Sequence, residues 1–561
     1  MKQQKLAPKK LKLPSFLKGI VPKFSLGILS GILTALPSLA AENIHITYGS
    51  IKLSVRVESL IKYAETGVAN KNLSFYLGFV DESGQQGFRE ALNQKTQVDA
   101  VLLSRLLNTA IGEDILRRLG TVINIPWGID GKFAIRGGLV QSAFEPEGLS
   151  LLGFFQKFPT DMQLNLNRAL LVAQRVDKTI QATEATIEEI KQLSAREAKS
   201  EEPVNFAQLP DLSKPGEYGF VEETITLTDP KRNRKFRVLL YKPQRFKLGK
   251  TPVIVVSHGL ASRPEDFADN AQHLASHGFL VALPQHPGSD LQQAKDLIEG
   301  FSREVFQLNE FIDRPADISY VLDYLEQQNQ AVYGGRLNLT EVGVVGHSFG
   351  GYGALAVAGA TIDFNYLEQE CDLTIPRLNT SLLLQCRALD LPRQEYNFRD
   401  QRVAAVMAVN PVNSSIFGPE GLSKISLPIM MVAGTYDPAT PAIYEQFRSF
   451  PWLSAQNKYL ALVEGQAHVN FSNLDPGIQE TVESISNLTL ASPQILQRYG
   501  GSFLMPFFGF YVENDPIYQP YINSIASYSE HLSEGQEFKI FLVTQQSADA
   551  LKQTVTDLGF N

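Results

Sequence analysis

The strongest constraint on this chain is a series of short apolar runs that begins near residue 220. Glu223–Thr228, Phe236–Tyr241, Val253–Ser257, Leu280–Leu283, Val342–Val345, Ala404–Val409, Ile429–Val432 and Tyr459–Leu462 are candidate strands. Several are wholly apolar and β-branched, as strands buried on both faces of a parallel sheet must be. Helical stretches lie between them, notably Asp266–Ser276 and Ala316–Gln328. Strands alternating with helices predict an α/β fold, a mostly parallel sheet with crossover helices.

A length of 561 residues exceeds what one ordinary core holds, so more than one domain is expected. From 41 to 160 apolar residues recur at helical spacing (Leu102, Leu103, Leu106, Leu107 and Ile111), and repeated Gly and Pro divide the pattern into several short helices. This reads as a mostly helical N-terminal domain without a polar cluster suited to chemistry. Residues 161–215 read as a long amphipathic helix, Asp161 to Ala198, followed by a Pro-rich linker. The helix's apolar seam fits the covering of the protein's own surface better than pairing with a second chain. Residues 216–561 then hold the α/β domain.

With 44% hydrophobic and 20% charged residues and a net charge of −8, the chain has the composition of a globular protein and lacks the concentrated basic face that nucleic acid requires. Seven lysines, Lys2 to Lys23, precede an uncharged run from Phe24 to Leu39 that ends in small residues. That is the pattern of a secretory signal peptide cleaved after Ala40, which predicts export to the periplasm, or to a thylakoid lumen in a cyanobacterium, with no membrane span once the signal is removed. An uncleaved anchor is the other reading. Export permits a disulfide between Cys371 and Cys386, and closing a loop of about 15 residues stabilises by roughly 3 kcal/mol; two unpaired thiols are the alternative.

The chemistry centres on Gly346-His347-Ser348-Phe349-Gly350-Gly351, which follows the candidate strand Val342–Val345 and precedes small residues at Gly353, Ala354, Ala356 and Ala358. A G-x-S-x-G between a buried strand and a small-residue helix places the serine on a turn too tight for flanking side chains, with the helix dipole directed at it. Ser348 is therefore the candidate nucleophile. The run Val253–Val256 ends in Ser257-His258-Gly259-Leu260, so the backbone N–H groups of Leu260 and Phe349 are the candidate oxyanion-hole donors. His468, in Gln466-Ala467-His468-Val469-Asn470-Phe471, is the candidate base, and His531 reads as a solvated surface residue. Asp437, in a loop after the run Ile429–Val432, is the candidate acid that would orient the imidazole, with Glu464 a weaker competitor.

His273 and His277 stand four apart, but Leu274 occupies the place where the zinc-protease pattern needs Glu, so solvated or capping histidines are expected rather than metal ligands. His258 and His347 read as framework residues beside the site. No cofactor or metal is expected.

The segments Ser257-His258-Gly259-Leu260, Gly346 to Gly351 and His468-Val469-Asn470-Phe471 resemble the α/β-hydrolase superfamily, in its platelet-activating-factor acetylhydrolase and dienelactone-hydrolase-like branch, over roughly residues 216–475. In the acetylhydrolases the acid follows the strand after the nucleophile helix, a position held here by Asn410, which cannot serve as a carboxylate. Asp437 matches the position used by dienelactone hydrolases, cutinases and polyester-cleaving lipases. The N-terminal region resembles a domain of unknown function that precedes such hydrolases in exported cyanobacterial proteins. The insertion at 361–400 lies where lids occur in this fold, and Leu373, Ile375, Leu378 and Leu382–Leu384 make it partly apolar, so either a lid over an acyl pocket or an inert excursion fits.

These features imply a serine hydrolase of small-molecule or lipid-like carboxylic esters, working through an acyl-enzyme. A non-catalytic envelope scaffold that keeps the fold, and an acyltransferase using the same residues, are the competing readings.

Overall fold

A computed structural model describes residues 40–247, 249–374, 377–468 and 490–560. The expected signal segment before residue 40, Ile375 and the run Val469-Asn470-Phe471 lie outside the described residues.

The C-terminal region is built on a nine-stranded sheet. Numbered along the chain, its strands are β1 (Phe220–Asp229), β2 (Arg234–Pro243), β3 (Thr251–Ser257), β4 (Leu280–Pro284), β5 (Leu337–His347), β6 (Val403–Val409), β7 (Ile429–Gly434), β8 (Lys458–Val463) and β9 (Ile540–Thr544). Their spatial order is β1-β2-β4-β3-β5-β6-β7-β8-β9. Strands β3 to β8 run parallel, while the β1–β2 hairpin and β9 pair antiparallel at the two edges. Each expected strand is present, and β9 is the one that apolar alternation did not reveal.

The pleat explains the layers. Val253 and Val255 of β3 point into one core and Ile254 and Val256 into the other, as alternate residues of a strand must. The first core is covered by the helices Glu310–Tyr333, Phe349–Ala358 and Ala548–Asp557, the second by Ala268–Ser276, Pro493–Tyr511 and Ile525–Ser533. Every parallel strand ends on the same side of the sheet, so the loops that follow β3, β5, β7 and β8 converge there.

Upstream, the expected short helices are present, but they pack with a five-stranded sheet that includes Asn43–Tyr48, Ile51–Arg56 and Met162–Asn165. Its buried residues, Ala41 to Met162, form a separate core. The helix expected from Asp161 spans Leu166–Ser200. Asp161 lies before it because its carboxylate accepts hydrogen bonds from the N–H groups of Glu42 and Asn43, and Asn165 caps the helix through the Arg168 N–H. Ala182, Ile190 and Leu193 of this helix join the first hydrolase-side core, so its apolar seam covers the protein's own surface. The stretch expected to be a linker is packed rather than free: Phe206 and Leu212 are buried in the second core, and the Gly216 N–H donates to Ser276 Oγ. No helix among the described residues is long and apolar enough to cross a membrane.

Candidate active site

Ser348 lies between β5 and the helix Phe349–Ala358 with φ 55° and ψ −119°, a conformation costly for a residue with a side chain. The turn is held open by glycine. A Cβ on Gly346 would stand 2.1 Å from the Gly350 carbonyl oxygen, and one on Gly350 would stand 2.1 Å from the Ser257 carbonyl oxygen. Such close approach of backbones is what lifts the serine out of the sheet toward the loops.

Those loops bring the predicted partners to it. The Ser348 hydroxyl donates to His468 Nε2 at 2.8 Å, and His468 Nδ1–H donates to Asp437 Oδ2 at 2.7 Å. A carboxylate only accepts, so Nδ1 carries the ring proton and Nε2 offers its lone pair to the hydroxyl. Asp437 is buried, and burial works against its charge. The bond from His468 and those from the Thr440 N–H and hydroxyl outweigh that, leaving its pKa below the ordinary carboxylate value. Its other oxygen accepts from the N–H groups of Ala439 and Thr440, both at 2.8 Å. Glu464, the weaker competitor, points elsewhere: it pairs with Lys191 at 2.6 Å and accepts from the Lys539 N–H.

Gly259 brings the candidate oxyanion loop, Ser257 to Leu260, close against Ser348, since a Cβ there would be 3.3 Å from Ser348 Cβ. The N–H groups of Leu260 and Phe349 donate to no acceptor among the described residues.

His347 and His258 are framework groups of a particular kind. The His347 Nε2–H donates to the His468 carbonyl at 2.7 Å, and its ring lies 4.9 Å from the His468 ring. Burial, then the neighbouring His468, pushes its pKa down to about 4, so it is neutral at physiological pH. His258 Nδ1–H donates to the Gly259 carbonyl at 2.8 Å, and its Nε2 accepts from the His286 N–H at 3.1 Å.

Asn410, at the position where an acetylhydrolase acid would stand, is buried with φ 42°. Its side-chain oxygen accepts from the Gly434 N–H at 3.0 Å and its amide donates to the Ala467 carbonyl at 3.4 Å, so it ties the loop that carries Asp437 to the loop that carries His468. Asn410 and Thr440 are contributors that the sequence reading did not place in the site. The Asp-x-x-Thr spacing of Asp437 and Thr440 was the available signal, because it is that of a side chain capping its own turn.

His273 and His277 carry no metal-like arrangement, and among the described residues no group of three or more His, Cys, Asp or Glu could hold an ion. His273 is not solvated as expected: its ring packs against Gly501, and burial, then His277, pushes its pKa down to about 4. His277 Nε2–H donates to the Lys214 carbonyl. His531 is exposed with its ring against Phe206.

In the insertion, Cys371 and Cys386 are joined as a disulfide, with Cα atoms 5.8 Å apart. The segment is anchored by Glu445, whose carboxylate accepts from Ser381 at 2.6 Å and Gln385 at 2.8 Å, and by Thr380, whose hydroxyl donates to the carbonyls of Pro438 and Ala439 beside the acid.

Residues 210–371 match the family model described as chlorophyllase, and residues 40–165 match the model described as an α/β hydrolase of unknown function, DUF1400. The chain is an α/β-hydrolase. No curated protein matches it. The chlorophyllase match covers Ser257 to Leu260 and Ser348 of this α/β-hydrolase but stops before Asp437 and His468. The likeness to the acetylhydrolase and dienelactone-hydrolase branch rests on motifs alone.

Proposed function

We propose that this α/β-hydrolase is a serine esterase that cleaves carboxylic esters of small or lipid-like molecules through an acyl-enzyme. The observation that carries this reading is the hydrogen-bonded chain from Asp437 through His468 to Ser348, set beside the Leu260 and Phe349 amides, which have no acceptor among the described residues. His468 takes the Ser348 proton as Oγ attacks the ester carbonyl, and Asp437 stabilises the imidazolium that forms. The carbonyl oxygen, now negative, is received by the N–H groups of Leu260 and Phe349. The alkoxide leaves with the proton from His468, and the same base then activates water to release the acid. The match to a family described as chlorophyllase supports an esterase-type hydrolase.

A fluorophosphonate probe tests the assignment. Labelling of the parent and none of Ser348→Ala is expected, and labelling that persists in the variant removes Ser348 from the mechanism. Nitrophenyl esters of rising acyl length then read the pocket.

We also propose that the protein is exported, a reading supported by the leader-like pattern before residue 41 and the Cys371–Cys386 bond. The mature mass in an envelope fraction should begin at Ala41. An intact N-terminus in the cytosol would refute export.

A further inference from the structure

Beneath the oxyanion loop lies a buried charge cluster that the reaction steps above do not use. Arg314, on the helix Glu310–Tyr333, has no exposed surface. Its Nη1 donates to the His258 carbonyl at 2.5 Å, its Nη2 to the Gly259 carbonyl at 3.2 Å, and its Nε to Ser289 Oγ at 2.9 Å. Its guanidinium carbon stands 4.5 Å from the centre of the Phe349 ring. The side chain thus touches the Gly259–Leu260 peptide, which carries one of the two amides, and the ring of Phe349, which carries the other.

The Gly259 carbonyl belongs to the same peptide as the Leu260 N–H. In a trans peptide the two point in opposite directions, so a carbonyl pinned in the interior by Arg314 and by His258 Nδ1 turns the N–H away from them. Donors on a peptide oxygen also polarise the peptide and strengthen its N–H as a donor. On the other side of the hole, the cation over the Phe349 ring fixes the first residue of the nucleophile helix.

Stability alone gives no reason for a guanidinium here. Desolvating it is costly, and a buried ion pair is often no better than apolar side chains of the same volume. Glu310 offsets the charge from 3.7 Å, with Asp317 further along the cluster bound to Arg234 and Arg232. Burial draws the Arg314 pKa down to about 10, so it remains a cation at neutral pH.

We propose that Arg314 is the positioning residue of the oxyanion hole, holding the Gly259–Leu260 peptide and the Phe349 ring so that both amides meet the developing charge. The inference rests on the esterase reading, and the two can fail separately. Arg314→Lys keeps the charge but cannot span two carbonyls and the ring. With rates expressed per site titrated by the fluorophosphonate, kcat should fall at least tenfold while KM stays within about twofold, because the loss of an oxyanion donor acts in the transition state. Affinity for a trifluoromethyl ketone, whose hemiketal oxyanion occupies the hole, should fall by the same factor as kcat/KM.

Ser289→Ala provides a second variant that keeps the guanidinium in place but frees its Nε and removes the hydroxyl that donates to the Glu310 carboxylate. It should show a smaller loss, about threefold, in both quantities. A purely structural Arg314 would lower Tm and leave kcat per site and ketone affinity at parental values. That result in Arg314→Lys, or in Ser289→Ala if the lysine variant does not fold, overturns the proposal. If Ser348→Ala itself retained turnover, the esterase reading would fall instead.

Discussion

Asp437 shows how much one side chain is specified by its surroundings. One oxygen accepts from two backbone N–H groups and the other from Thr440 Oγ1 and His468 Nδ1. In Asp437→Asn the amide oxygen must face the two N–H donors, which forces the NH2 group toward His468. The imidazole then accepts at Nδ1, carries its proton at Nε2 and cannot take one from Ser348. A fall in kcat of roughly 10³–10⁴-fold with a folded protein is expected, read by steady-state ester hydrolysis. A loss below tenfold would show that Asp437 does not set the tautomer. His347 makes a second prediction at this scale. Its folded pKa, about 4, lies below the ordinary value of about 6.5, so as pH falls the unfolded chain binds the proton first. The stability it contributes is complete above about pH 6.5 and is lost as pH drops toward 4, with a slope of up to about 1.4 kcal/mol per pH unit. Urea unfolding of His347→Asn across that window should show a flatter acid limb than the parent, and equal slopes would refute it.

At the level of elements, the candidate site depends on how closely β3 and the helix Phe349–Ala358 approach. Gly350 leaves no room for a methyl group, because its Cβ would meet the carbonyl oxygens of Ser257 and His258 at 2.1 and 2.7 Å. Gly350→Ala must separate the nucleophile turn from the oxyanion loop, so a stability loss of about 1–3 kcal/mol is expected. Ester turnover should fall well beyond what the unfolded fraction explains. Parental turnover per folded molecule would show that the spacing has slack. These elements were legible in the sequence because their signals are local: β3 to β8 are apolar runs, and the elbow is one unbroken motif. Two kinds of feature were not. Strand β9 begins at Ile540, long after β8 ends at Val463 and beyond the helices Pro493–Tyr511 and Ile525–Ser533, so its pairing with β8 follows no local strand series. Ile51–Arg56 is exposed at nearly every position and has no apolar period to read. The buried cluster around Arg314, in which His286 bridges Ser257 Oγ and Asp317 Oδ2 at 2.9 Å each, draws on three separate segments, and no local pattern links them. Only the sheet brings them together.

For the whole molecule, the question is how the N-terminal region and the hydrolase region respond to one another. The core from Ala41 to Met162 shares no buried residue with the two cores of the large sheet. Among the described residues, what crosses between them is mostly polar: the Ala110 N–H donates to Glu304, Arg105 to the Ile298 carbonyl, and Arg168 to the Thr374 carbonyl, while Ile111 packs against the core of the large sheet. An interface of that kind couples two units weakly. The helix Leu166–Ser200 leaves the small sheet but buries its second half, Ala182 to Glu197, against β9 and the last helices, so its stability belongs to the hydrolase side. Calorimetry should therefore resolve two transitions. Leu103→Ala, at a position with no exposed surface in the N-terminal core, should cost about 2–5 kcal/mol and lower only the N-terminal transition. Thermal loss of ester hydrolysis should follow the other transition and stay at its parental temperature. If the two regions instead melt as one, the variant will shift a single peak and carry the loss of activity with it, and the polar contacts will have proved strong enough to bind both cores into one cooperative unit.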